Sequence, residues 1–180
     1  MLQETPQENT PPGREPDRRH NAPVLYLLSG KIGAGKSTLA ARLARQPGTF
    51  LLSEDTLLAE LYNGEINDIG DYIRSSIRLK YALKDHIVAL LKAGSSVVLD
   101  FPANTPESRR WGRELFEAAE VAHELHYLDI PNTVCKSRLR ARNKTGDHPF
   151  KASDAEFDMF SRFFIPPMPE EGFNVVRHVK

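Results

Sequence analysis

Leu27-Leu28-Ser29-Gly30-Lys31-Ile32-Gly33-Ala34-Gly35-Lys36-Ser37-Thr38-Leu39-Ala40 is the stretch whose reading decides the fold. Gly30 to Ser37 satisfies G-x-x-x-x-G-K-[ST], a loop whose glycines let backbone N–H groups converge on phosphate oxygens. The apolar run Val24–Leu28 before it reads as a strand covered on both faces, and a helix is expected from Lys36 to Gln46. The positive end of that helix favours an anion. The loop as a whole, Gly30, Lys31, Ile32, Gly33, Ala34, Gly35, Lys36, Ser37 and Thr38, is therefore expected to bind a nucleoside triphosphate. Lys36 would reach the β- and γ-phosphates, and Ser37 would offer its hydroxyl to Mg²⁺.

Working outward, Pro47-Gly48 ends the first helix and Thr49–Ser53 reads as a second strand, with Asp55 just past its end. A long helix is expected over Asp71–Lys92, where Ile73, Ile77, Leu83, Ile87, Leu90 and Leu91 form an apolar stripe stopped by Gly94. Val97–Asp100 is a short buried strand ending in an acid. Thr105-Pro106 is an N-cap with proline at N1, opening a helix to about Ala119. A fourth strand is expected over Leu125–Leu128, a helix over Thr133–Asn143, and a polar loop over Lys144–Lys151. Ser153 and Glu156 form a capping box ahead of Phe157, Phe160, Phe163 and Phe164, which read as core, and Pro166-Pro167 ends that helix. Phe173–Val179 supplies a fifth strand. This alternation predicts an α/β domain: a three-layer P-loop architecture around a mainly parallel sheet. Residues 1–23 are polar and proline-rich and read as a disordered tail; the domain runs over 24–180.

Several residues qualify for the acceptor side. Asp55 sits at the carboxyl edge of the sheet, where ligands bind in open α/β folds. It can serve as a base that orients and deprotonates a hydroxyl, or as the N-cap of a helix over Thr56–Leu61; Glu54 is its neighbour and rival. Asp100 can hold Mg²⁺ through water or stand as a solvated strand-end carboxylate. Asn104 can hydrogen-bond an acceptor or cap the turn. Arg109 and Arg113 share a helical face and can grip an anionic acceptor or be solvated.

Lys136, Arg138, Arg140, Arg142, Lys144 and Lys151 crowd one segment opposed only by Asp147. Arg138 and Arg142 lie one turn apart, suited to stabilising the charge of a transferring phosphoryl group. The segment over about 138–152 is expected to act as a lid, with His148 ordering its loop. Asn143-Lys144-Thr145-Gly146 lacks the fourth-position carboxylate of a guanine-reading loop, which argues against a GTPase. The histidines show no metal spacing; His123 and His126 read as structural, and Cys135 as inert.

Among 180 residues, 24 Lys and Arg balance 24 Asp and Glu, so the chain as a whole has no electrostatic bias toward nucleic acid or membrane. The single cysteine excludes an internal disulfide and fits a reducing compartment, and no apolar run approaches the roughly 20 residues of a membrane span. A cytoplasmic protein is expected.

The segments G-K-I-G-A-G-K-S-T (30–38), Asp55 after the second strand, V-V-L-D-F-P-A-N-T (97–105) and R-L-R-A-R-N (138–143) together resemble the small P-loop kinases. The resemblance is greatest to AAA_33-type ATP-binding proteins, a group related to zeta-toxin, chloramphenicol phosphotransferase and polynucleotide kinase families; His148 to Phe173 also fits it. It implies a five-stranded sheet of order 2-3-1-4-5 and a small lid. It implies ATP and Mg²⁺ as cofactors, Lys36 and Ser37 on triphosphate and metal, Asp55 as acceptor base, and Arg138 and Arg142 as lid arginines, with Arg142 also near the adenine. The activity implied is phosphoryl transfer to a hydroxyl of a small molecule or nucleotide. The alternatives are a polynucleotide 5′-hydroxyl and a nucleotide-gated regulatory protein. Asp55, Asp100, Asn104 and Arg109 are the acceptor-side candidates.

Overall fold

A computed structural model describes residues 22–145 and 152–179. The expected tail over 1–23, nearly all of it, and the loop holding His148 lie outside the described residues.

Five parallel strands, β1 (Val24–Ser29), β2 (Thr49–Ser53), β3 (Ser96–Pro102), β4 (Ala122–Asp129) and β5 (Val175–Val179), form one sheet of order β2-β3-β1-β4-β5. The helices are α1 (Lys36–Leu43), α2 (Glu54–Leu61), α3 (Ile69–Lys92), α4 (Pro106–Ala119), α5 (Asn132–Thr145) and α6 (Asp154–Ser161), with a short 3₁₀ turn at Pro169–Glu171.

Successive side chains of the central strands point to opposite faces, so the sheet carries two cores. Leu25, Leu27, Val97, Leu99, Phe101 and Leu125 pack against α2, α3 and α4; Tyr26, Leu28, Val98 and Leu128 pack against α1, α5 and α6. That is why β1 and β3 read as continuous apolar runs: both faces are covered. The α4 helix approaches β1 closely, since a Cβ on Gly112 would lie 2.7 Å from Leu27.

The N-cap expected at Thr105 and the capping box expected at Ser153/Glu156 are both formed, and Thr105 adds a capping box with Ser108, each box closed by a reciprocal side-chain hydrogen bond. The α3 stripe differs from expectation. Ile87 and Leu91 are buried, but Ile73 and Ile77 are 51% and 50% exposed, and the first half of the helix turns Ser75, Ser76 and Leu79 inward instead. The aromatic run differs as well. Phe157 is fully buried, whereas Phe163 is 68% exposed, because α6 ends at Ser161, before it reaches Phe163.

The site is set by the C-terminal edge of the sheet. There β1 and β3 lose register: Leu27 pairs with Leu99, but Leu28 pairs with Pro102. β3 thus spends Asp100 and Phe101 where β1 spends nothing, a bulge of the kind that re-aims side chains beside functional sites. On its other side Asp100 stays in register with Ser53, the last residue of β2.

Candidate active site

β1 ends at Ser29 and the chain turns into the glycine loop. Gly33 adopts φ +75° and Gly35, the N-cap of α1, φ +105°. Gly33 has a second constraint: a Cβ there would meet the Cys135 carbonyl of α5 at 2.5 Å. The loop is closed by a turn from Ala34 N–H to the Lys31 carbonyl (3.1 Å). The Lys36 ammonium donates to the Gly30 and Lys31 carbonyls (2.7 and 3.2 Å), curled over the loop where a triphosphate would draw it outward. Burial pushes its pKa down, and the Asp100 and Asp55 carboxylates pull it back up, so both acids lie within electrostatic reach of Lys36. Ser37 and Thr38 are exposed in the first turn of α1. Ala34 is buried and Ile32 packs on the same core. Lys31 is turned toward α5, donating to Asn132 Oδ1 (2.6 Å), with its ammonium over the Phe164 ring.

Asn104 is not placed as a turn cap. Its Oδ1 accepts from the Gly30 N–H (2.9 Å), and its carbonyl accepts from the Ile165 N–H (2.9 Å). It ties the first loop glycine to the chain's C-terminal segment. From the other side Arg138 Nη1 donates to the Ala34 carbonyl (2.9 Å). The loop is thus gripped by β3's extension and by α5.

Asp55 is the second residue of α2, whose N-cap is Ser53. The capping alternative is therefore corrected: Asp55 sits inside the first turn. It is half-buried, and its charge raises the basicity of Arg142, which burial otherwise lowers. Asp55, Asp100, Lys36 and Arg142, from four different elements, share one electrostatic neighbourhood. Glu54 is a different case. It is 1% exposed and accepts from Tyr72 Oη (2.9 Å) and Ser76 Oγ (2.5 Å), with Lys80 Nζ at 3.8 Å. A carboxylate so enclosed does not reach an acceptor, which removes the rivalry with Asp55.

Arg109 is corrected outright as an acceptor grip. It is 0% exposed, and its five N–H groups meet five oxygens. Nε and Nη2 fork onto Glu171 (2.6 and 2.7 Å); Nη1 donates to the carbonyls of Ala103 and Ile165 (3.2 and 2.9 Å); Nη2 also reaches Pro166 (3.4 Å). Its neighbour Arg113 donates to the Glu171 carbonyl. These arginines brace the C-terminal segment. The α5 cations are also more committed than their density suggests: Lys136 pairs with Asp158, and Arg140 with Asp154.

Sequence reasoning missed Tyr72, Asn132, Phe164 and Glu171. Only the Tyr72–Ser76 spacing of one turn hinted at a shared polar face.

The model of the AAA domain family (AAA_33) matches residues 25–167. The chain belongs to that family. A UMP-CMP kinase of Gallus gallus is 26% identical over 136 residues, 68% of this chain and 69% of that one. A putative kinase from Chloroflexus aurantiacus superposes with a TM-score of 0.71 at 22% identity, covering 88% of this chain and 85% of that one. An APS kinase from Mycobacterium tuberculosis, solved with AMPPNP and APS, gives 0.54 at 20% identity, with 88% of each chain covered. These likenesses show that the family member in hand has the fold of P-loop kinases. Among the described residues, no helix is long and apolar enough to cross a membrane.

Proposed function

We propose that this AAA-domain protein is an ATP-dependent phosphotransferase that moves the γ-phosphoryl group to a hydroxyl of a small molecule or nucleotide. The observation that carries the reading is the Lys36 ammonium folded onto the phosphate loop within electrostatic reach of the Asp55 and Asp100 carboxylates. A loop that binds triphosphate needs only backbone and lysine. A half-buried carboxylate from the β2–α2 junction, within electrostatic reach of the same ammonium, adds what transfer to a hydroxyl requires.

Each residue has a role in this account. The loop from Gly30 to Thr38 cradles the triphosphate, held in shape by Asn104 and Arg138. Lys36 leaves the Gly30 and Lys31 carbonyls for the β- and γ-phosphate oxygens. Asp55 orients the acceptor hydroxyl and takes its proton. Arg142, and the remaining N–H groups of Arg138 while its Nη1 stays on the Ala34 carbonyl, stabilise the charge on the phosphoryl group as it moves. The segment over about 138–152 is the lid that excludes water.

The donor set fits Mg²⁺. Ser37 would hold the cation through its hydroxyl and Asp100 through water, both hard oxygen groups suited to a metal that arrives on nucleotide phosphates with its own waters. Mg²⁺ held so would supply neutralisation of the phosphate charge. Within the P-loop kinases, the R-L-R-A-R-N segment and the closing segment to Phe173 favour a place beside the zeta-toxin-like and chloramphenicol phosphotransferase-like groups. The pairing of Lys136 and Arg140 with α6 acids favours a small acceptor over a nucleic-acid end. We place the protein in the cytoplasm.

The test is transfer from ATP labelled at the γ-phosphate, with Mg²⁺, into a fractionated small-molecule extract and into 5′-hydroxyl oligonucleotides. A labelled small molecule that disappears with the Lys36→Ala protein is expected. Labelled oligonucleotide alone would contradict the small-acceptor reading, and no Lys36-dependent product would contradict the kinase reading.

A further inference from the structure

The polar cluster between α2 and α3 lies outside the chemistry assigned so far. Glu54 is buried at the first position of α2 and takes the Tyr72 hydroxyl on Oε2 and the Ser76 hydroxyl on Oε1, with Lys80 beyond. Tyr72, Ser76 and Lys80 recur every four residues, so one stripe of α3 is given over to one carboxylate. The same helix pair already has apolar packing: Leu58 and Leu79 are buried in the core they share. A buried charged cluster beside adequate apolar packing is poorly explained by stability, because its desolvation cost offsets its attraction. It is well suited to fixing an orientation, since hydrogen bonds are directional and leucine contacts are not. The residue whose orientation it fixes is the next one along, Asp55. Tyr72 extends the link. Burial, then the charges of Glu54, Asp55 and Asp100, push its pKa far up, so the phenol remains a hydrogen-bond donor among three carboxylates.

We propose that Glu54 is a positioning residue, with Tyr72 as its partner: by locking the first turn of α2 to α3 it holds Asp55 at the angle that serves the acceptor hydroxyl. This inference rests on the reading of Asp55 as acceptor base. When the lock is loosened, Asp55 drifts while the phosphate loop, built on β1, α1, Asn104 and Arg138, does not. ATP stays bound with its γ-phosphoryl group exposed to water, and the acceptor loses its competitive advantage.

The readout that separates positioning from mere structural support is partition. Wild type, Glu54→Gln, Tyr72→Phe and the double variant are given ATP, Mg²⁺ and the extract fraction that serves as acceptor; inorganic phosphate released and acceptor phosphorylated are counted in the same tube. Affinity for ATP and the melting temperature are measured beside them. The expected result is a ratio of inorganic phosphate to phosphorylated acceptor raised at least about tenfold in each single variant, the scale on which a misplaced group costs rate. ATP affinity should stay within about twofold, and the double variant should be no worse than the worse single one, as for two members of one network. A network that only supports the fold would lower both products together, and an unchanged ratio in variants that bind ATP overturns the proposal. Tyr72→Phe keeps the ring and its packing, so it remains informative if Glu54→Gln fails to fold. Absence of Lys36-dependent transfer by the wild type would instead overturn the kinase reading, and this inference with it.

Discussion

Replacing Arg109 by methionine separates a brace from a substrate grip. Methionine keeps much of the length and none of the donors. The variant strands the Glu171 carboxylate and leaves the carbonyls of Ala103 and Ile165 without their present partner. Breaking a buried ion pair by removing one member costs about 3–5 kcal/mol. A chain of this size loses about 2–4 °C of melting temperature per kcal/mol, so the midpoint should fall by roughly 6–20 °C. The pH dependence gives a second signature. The hydrogen bonds from Arg109, ahead of the other contacts, hold the Glu171 carboxyl below its usual range. A depressed carboxyl contributes stability that is fully present above the unfolded carboxylate value of about 4.3, and that is lost as pH falls through the lower folded value. The gap between wild type and variant should therefore be full at pH 6–7 and narrow below about pH 4. Thermal melts from pH 3 to 7 measure both, with ATP titration at 15 °C showing near-normal affinity in the folded variant. A variant that melts with the wild type but has lost affinity for the acceptor would refute the brace and restore Arg109 to the acceptor site.

Two further outcomes follow from the loop. Asn104→Ala removes the acceptor of the Gly30 N–H, and ATP affinity by calorimetry should fall about tenfold, the size of one hydrogen bond of about 1–2 kcal/mol; unchanged affinity would show that the loop holds its shape unaided. Gly33→Ala and Gly64→Ala make a matched pair, since both glycines have φ near +75° (+75° and +78°) but only Gly33 has a carbonyl 2.5 Å from the added Cβ. Both should lose about 1–2 kcal/mol to the left-handed backbone, and only Gly33→Ala should also lose ATP binding. Equal behaviour of the two would refute the close packing of the loop on α5.

Most of the frame was legible in the chain itself. The strand-loop-helix context of Gly30–Ser37, the N-cap at Thr105 and the capping box at Ser153/Glu156 each have a local cause, and each is formed as read, whereas β3 runs past the acid at Asp100 to Pro102. What was not legible is tertiary. Arg109 and Glu171 are far apart in sequence, and nothing in either stretch marks a buried fork. Ile73 and Ile77 keep helical spacing, yet the inward side of α3 at that height is polar because Glu54 needs donors there, so the apolar stripe faces out. The charge-dense α5 looked like an open basic face because its partners Asp154 and Asp158 come from α6, later in the chain. The capping alternative for Asp55 fails because the helix begins at Glu54, two residues before the Thr56 start that its pattern suggests, with Ser53 at the boundary.

The central claim is that Asp55 serves the acceptor while the glycine loop alone holds the nucleotide. The most direct measurement is calorimetric ATP affinity of Asp55→Asn beside its rate of phosphoryl transfer into the acceptor fraction. Asparagine keeps the shape and removes the base. Affinity is expected to stay within about threefold of wild type and transfer to fall by about 10²–10⁴, the range for a positioned general base. Transfer at the wild-type rate, or a loss fully explained by weakened ATP binding, would contradict it.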